Sequence, residues 1–143
     1  MTQTDKDLLL KDLCARVPYG VKVRCKIPIN QNESKEFIGQ VTSVHYNVSI
    51  VQVGGFDVIA DYNPYFEIKP YLFPMSSMTE EQKKELDNMF KPEDDICEKI
   101  KTDNFEFNFY RKSIFDFLNK YHLDWRGLIP MGLANDATGL NIY

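Results

Sequence analysis

Between residues 21 and 70 the chain alternates short β-type runs with turn signals, and that spacing constrains the fold more than any other feature. In VKVRCKIPI, Val21, Val23, Cys25, Ile27 and Ile29 alternate with Lys22, Arg24, Lys26 and Pro28, the period-two pattern of a half-buried strand. Pro28 has no N–H to donate, which confines the last part of the run to an edge or an end. Asn30 to Lys35 reads as a polar loop. EFIGQVTSVHY is β-rich, with Gly39 marking a bulge or a bend. A turn at Asn47, the run VSIVQV, Gly54-Gly55 and FDVIADY follow. Two glycines between β-branched runs predict a tight hairpin, because both turn positions can take positive φ at low cost. FEIKPYLF supplies one more short strand. About five short strands in roughly fifty residues predict a small, bent β-barrel, SH3-like or OB-like, with the SH3-like form preferred for its short strands.

Helical signals lie on either side. Thr4 to Val17 predicts a helix with Thr4 as N-cap, Leu8, Leu9, Leu13, Cys14 and Ala15 inward, and Asp5, Lys6, Asp7, Lys11, Asp12 and Arg16 on the other face. Pro18 and Gly20 end it. Thr79-Glu80-Glu81-Gln82 is a capping box that opens a helix to about Phe90. The alternation of Phe105, Phe107 and Phe109 predicts a short extended segment. Ile114, Phe117, Leu118 and Tyr121 then recur at helical spacing. The last twenty residues have no period and are rich in turn residues, with one short helical turn at best near Arg126 to Ile129. The expected class is therefore α+β: residues 1–75 form a helix plus the barrel, and residues 76–143 an acidic helical segment whose ordered tail packs on it.

Composition fits a globular chain: 143 residues, 43% hydrophobic and 27% charged. The net charge of −4 falls wholly on the second part, since residues 1–75 balance eight basic against eight acidic side chains. No basic block marks a duplex-binding surface. Cys14, Cys25 and Cys97 are widely spaced and form neither a zinc motif nor a disulfide framework. MTQTDKDLLLKDL is not a signal peptide, and no run is long enough for a membrane span, so the expected compartment is the cytoplasm.

The tail YHLDWRGLIPMGLANDATGLNIY concentrates the polar candidates. His122 beside Asp124 could begin a general acid–base pair, but neither Ser113 nor Cys97 sits in a nucleophile elbow. The preferred reading is a fastening: Asp124 caps a turn starting at Trp125, Arg126 pairs with an acid, and Trp125 and Leu128 anchor the tail on its own domain rather than on another chain. Lys22, Arg24 and Lys26 on one strand face, with Tyr46, Tyr62 and Tyr65 near turns, are the alternative, a single-strand nucleic-acid surface. His45 and His122 lack ligand spacing, and Asp94, Asp95 and Glu98 do not make an EF-hand, so no metal or cofactor is expected.

Three blocks, DLCARVPYGVKV, KPYLFPMSSMTEEQ and FLNKYHLDWRGLIPMGLA, resemble in order a family of uncharacterised proteins from Bacteroides-type gut bacteria and their phages. This sequence departs from the family pattern at Phe73, Tyr121, Leu123 and Trp125. The resemblance implies a bacterial or prophage origin and brings no activity with it. A non-enzymatic interaction or accessory module, open to an unidentified protein partner, is the leading expectation, a nucleic-acid module the second, an enzyme the third.

Overall fold

The computed structural model describes residues 2–45, 47, 50–59, 67–90 and 104–143; at 59, 90 and 104–111 it describes the backbone alone. The chain begins with α1 (Gln3–Arg16). Its N-cap is Thr2 rather than Thr4: the Thr2 hydroxyl accepts from the Asp5 N–H and the Asp5 carboxylate accepts from the Thr2 N–H, a reciprocal cap that satisfies two orphan donors. Leu9, Leu10 and Leu13 are buried, each worth roughly 1.5–3 kcal/mol as area removed from water. The expected polar face is corrected here, because Lys6, Asp12 and Arg16 are buried as well, while Cys14 is exposed.

After a 3-10 turn at Val17–Tyr19 come β1 (Lys22–Pro28), β2 (Ser34–His45), β3 (Ile50–Val53), β4 (Phe56–Ile59) and β5 (Glu67–Leu72). These strands and β6 (Asn135–Asp136) form one sheet in the order β4-β3-β2-β1-β5-β6. The expected SH3-like or OB-like barrel does not form among the described residues. The sheet stays open, with β4 and β6 as its outer strands, and it is mixed, because β6 runs parallel to β5. Strand count alone does not decide closure, which also needs consistent tilt and register.

β2 is long and shared. Ser34–Gln40 pairs with β1, and Val41–His45 pairs with β3. The irregularity in β2 lies between Val41 and Ser43, not at Gly39 as expected. Gly39 has a different reason to be glycine: a Cβ there would stand 2.6 Å from Val53 Cγ1, so the strand lies too close to β3 for any side chain. The hairpin at Gly54-Gly55 does form, with φ of +55° and +86° and Val53 opposite Phe56. Pro28 is the last residue of β1 and pairs only with β2.

α2 (Glu80–Phe90) begins at the capping box, with Gln82 N–H to Thr79 Oγ1 at 3.1 Å and Thr79 N–H to Gln82 Oε1 at 2.9 Å. α3 (Asn104–Lys120) starts earlier than expected and absorbs the Phe105–Phe109 segment, which is helical rather than extended. Three alternating positions are a weak β signal, and extending an existing helix costs little once a nucleus exists.

The core has three parts. α1 packs Leu9, Leu10 and Leu13 against Val21, Val23, Cys25, Val41, Val51, Val53, Val58 and Ile68 of the sheet region. Leu72 meets Leu128, Leu133 and Ala134 of the tail. Phe117, Leu118 and Leu123 join α3 to the tail, with Leu86 and Met89 of α2 packed against them. No described helix is long and apolar enough to cross a membrane.

Candidate functional site

The end of α3 sets the geometry. The Leu123 N–H donates to the Leu118 carbonyl at 2.9 Å and the His122 N–H to the Asn119 carbonyl at 3.1 Å, the paired bonds of a Schellman stop. The position that usually carries glycine holds His122, at φ +54°. Histidine tolerates the left-handed region better than most residues, but at a cost. The turn then threads along β5: Phe73 N–H donates to the His122 carbonyl at 2.9 Å, and Asp124 N–H to the Phe73 carbonyl at 2.8 Å. Further on, β6 pairs Tyr71 with Asn135 and Leu72 with Asp136. The tail is thus a strand-forming part of its own chain, which the aperiodic sequence did not signal.

Each tail candidate has a definite place. Asp124 is buried at the head of the turn, and its two carboxylate oxygens accept from the N–H groups of Leu128 (2.7 Å) and Ile129 (2.9 Å). Trp125 donates its Nε1–H to Asn119 Oδ1 at 3.0 Å and packs on Phe115 with ring centroids 4.6 Å apart. Arg126 lies over the Trp125 ring at 4.0 Å, and its Nε stands 3.2 Å from Asp12 Oδ1. That contact sets charge against charge without a hydrogen bond, because Nε has no hydrogen-bond partner among the described residues. Leu128 is fully buried against Leu72.

Asp12 and Arg16 explain where the tail is tied. Both side chains are fully buried, and the pair is bidentate, at 2.7 Å from Nε and 3.1 Å from Nη2. Arg16 Nη2 also donates to the Leu123 carbonyl at 2.8 Å. A buried charge needs such a network, since desolvation costs several kcal/mol per ion and only pairing offsets it. Sequence reasoning placed both residues in solvent, because their third partner is on the tail.

Tyr143 completes the fastening. Its ring stacks on His122, centroids 3.8 Å apart with 10° between planes. Its hydroxyl donates to the Tyr71 carbonyl at 2.8 Å and accepts from the Lys22 N–H at 3.1 Å. Burial pushes this phenol up to about 12. His122 is held down to about 4, first by burial and then by the nearby Arg16 and Lys22 charges, so its imidazole is neutral at pH 7. Its Nδ1 is buried without a hydrogen-bond partner among the described residues.

Beside this stack lies a cavity of about 430 Å³, walled by Phe73, Tyr121, His122 and Tyr143, with Lys120 and Gln82 among its polar residues. Such a volume is in the range of small-molecule sites.

The alternative surface is distributed differently. Lys22 does not stand with the other two cations, because its ammonium donates to the Ile142 carbonyl at 2.6 Å. Arg24 lies 4.0 Å from Glu36 and 3.8 Å from Glu67, and Lys26 lies 3.9 Å from Glu36. Lys69 contacts Glu67 at 2.7 Å and holds that carboxyl below its ordinary range. The outer sheet face is therefore a mixed ion network. Tyr46, Tyr62, Tyr65, Asp94, Asp95, Cys97 and Glu98 lie outside the described residues. Ser113 sits within α3, and Asp124, the acid–base partner considered for His122, instead caps its turn as the preferred reading had it. Among the described residues no group of three or more His, Cys, Asp or Glu side chains is placed to hold a metal.

No family model, curated protein or solved structure matches the chain.

Proposed function

We propose that this chain is a non-enzymatic interaction or accessory module that acts by binding, with the cavity beside the His122–Tyr143 stack as its binding site. The observation that carries this reading is where three hydroxyl protons at the candidate site are directed. Ser77 Oγ donates to the Pro74 carbonyl at 2.7 Å, Tyr143 to the Tyr71 carbonyl, and Tyr121 to Glu85 Oε2 at 2.7 Å. A nucleophile needs a base to take its proton, and none of these protons is aimed at His122. The described Ser–His contact, Ser43 Oγ to His45 Nε2 at 3.3 Å, fares no better, because Ser43 donates to Gln52 Oε1 at 2.7 Å. An apolar cavity with one neutral imidazole in its wall is suited to holding a ligand. The three sequence blocks support a bacterial or prophage origin, and a reducing cytoplasm fits the free thiols Cys14 and Cys25.

The test is a spectroscopic titration of the isotopically labelled protein with a set of small aromatic fragments. Binding at this site moves the backbone signals of Tyr121–Leu123 and Thr138–Tyr143 together, and the fragments are recovered unchanged. A fragment that is chemically converted, or a set that leaves both segments unmoved, contradicts the reading.

A further inference from the structure

We propose that the cavity takes a flat aromatic carboxylate, its ring against Phe73, Tyr121 and Tyr143 and its carboxylate toward His122 and Lys120. This rests on the reading of the chain as a binding module and gives its ligand a chemical class.

Shape supplies the aromatic half. Three aromatic rings and the His122 imidazole wall a space of about 430 Å³. Two of those rings are already ordered, Tyr143 by its stack on His122 and Tyr121 by its hydrogen bond to Glu85. Pre-ordered aromatic walls favour a rigid, flat guest, which loses little conformational freedom on entry.

Charge supplies the carboxylate half. Among the described residues that line the cavity there is one cation, Lys120, and no Asp or Glu. The hydroxyls of Ser77 and Thr79 are engaged by Pro74 and by the Gln82 N–H, and Gln82 Oε1 is engaged by the Thr79 N–H. The donors that line the cavity include the Gln82 amide N–H groups and the Lys120 ammonium, and a neutral His122 ring carries one N–H. Glu85 stands 3.9 Å from Lys120, but both side chains are exposed, and such a pair holds its ammonium weakly. A carboxylate matches donors of this kind, whereas a cationic guest sets its charge against the Lys120 ammonium.

The imidazole also reports the guest. The charges of Arg16 on α1 and Lys22 on β1 act on His122, Asp12 on α1 acts on the Tyr143 ring stacked against it, and Lys120 and Tyr121 line the same cavity. Adding an anion to that field favours the imidazolium, so occupancy raises the His122 titration midpoint and affinity strengthens as pH falls.

The experiment uses the full chain and three single-ring probes of similar size: benzoate, benzamide and benzylamine. Imidazole signals of His122 and ring signals of Tyr143 are followed by NMR. Benzoate is expected to move both and to raise the His122 midpoint by about one pH unit. Benzylamine is expected to leave them in place. Lys120→Gln, an exposed change that leaves the core intact, should weaken benzoate about threefold and leave benzamide unaffected. If benzamide binds as well as benzoate, or benzylamine binds and benzoate does not, the cavity binds but the carboxylate assignment is overturned. If none of the three moves either residue, and the wider fragment set is silent too, the assignment and the binding-module reading fall together.

Discussion

His122 and Tyr143 lie ring on ring, 3.8 Å between centroids, and this contact joins the stop of α3 to the tail that returns across β5. It also forms one wall of the candidate site. Removing the ring tests how much the fastening depends on it. Tyr143→Ala loses the stack and both hydroxyl bonds and should lower stability by about 1–2 kcal/mol, discounted because the residue is 41% exposed. Tyr143→Phe keeps the stack and should cost about half as much. Urea unfolding of the two variants separates ring from hydroxyl; equal losses would assign the whole effect to the hydroxyl.

The buried Asp12–Arg16 pair predicts a specific non-additivity. Arg16→Met leaves the Asp12 carboxylate buried, with only the hydrogen-bond-free contact from Arg126 among the described residues, and should cost about 3–5 kcal/mol. Asp12→Leu combined with Arg16→Met removes both charges and should cost less than Arg16→Met alone. A double variant less stable than either single one in denaturant melts would show that the pair stabilises the fold through more than charge compensation.

Gly39 lies against Val53 in the paired strands. Gly39→Ala should destabilise by about 1–3 kcal/mol, because its new methyl group meets Val53 Cγ1 at 2.6 Å. Adding Val53→Ala should recover part of that loss in thermal melts. Full stability in the single variant would mean the strands can move apart freely.

How much of this could be read beforehand depended on the distance over which each relation acts. The Gly54-Gly55 hairpin and the Thr79–Gln82 box are made within four residues, and both were legible as local chemistry. The open form of the sheet was not, because strand spacing carries no information on which outer strands meet. Arg16 was misplaced for a similar reason: the carbonyl that accepts from it, Leu123, is 107 positions away. At the site, the Asp124 bonds to Leu128 and Ile129 are local and belong to the capping logic of the sequence. The partnership of His122 with Tyr143 has no periodic or compositional trace, since the two residues are 21 positions apart and meet where the tail returns past β5.

The ion network on the outer sheet face predicts weak attraction for polyanions. With Arg24 and Lys26 facing Glu36 and Glu67, mixed single-stranded oligonucleotides should show no salt-steep binding in fluorescence anisotropy. Affinity that falls sharply with salt, and is lost on replacing Arg24 and Lys26 by alanine, would restore the nucleic-acid alternative.

Acid should loosen the fold through His122. Its folded midpoint is depressed from the ordinary value of 6.5 to about 4, so the folded state binds fewer protons than the unfolded one between these values. This contribution is fully present above pH 6.5 and is lost as pH falls through 6.5 toward 4. Its size is about 2 kcal/mol after allowing for solvent that reaches the ring from the cavity. His122→Asn, which keeps a residue suited to left-handed backbone, should flatten stability across that window. An unchanged pH profile in the variant would place the acid sensitivity elsewhere.

The most direct test of the fastened tail is an NMR titration of His122 in the wild-type protein, together with the nuclear Overhauser contacts of its ring. A tail folded onto its own chain predicts a midpoint near 4 and contacts from the imidazole to the Tyr143 ring, both independent of protein concentration. A midpoint near 6.5 with no contact to Tyr143, or contacts that appear only as concentration rises, would contradict it.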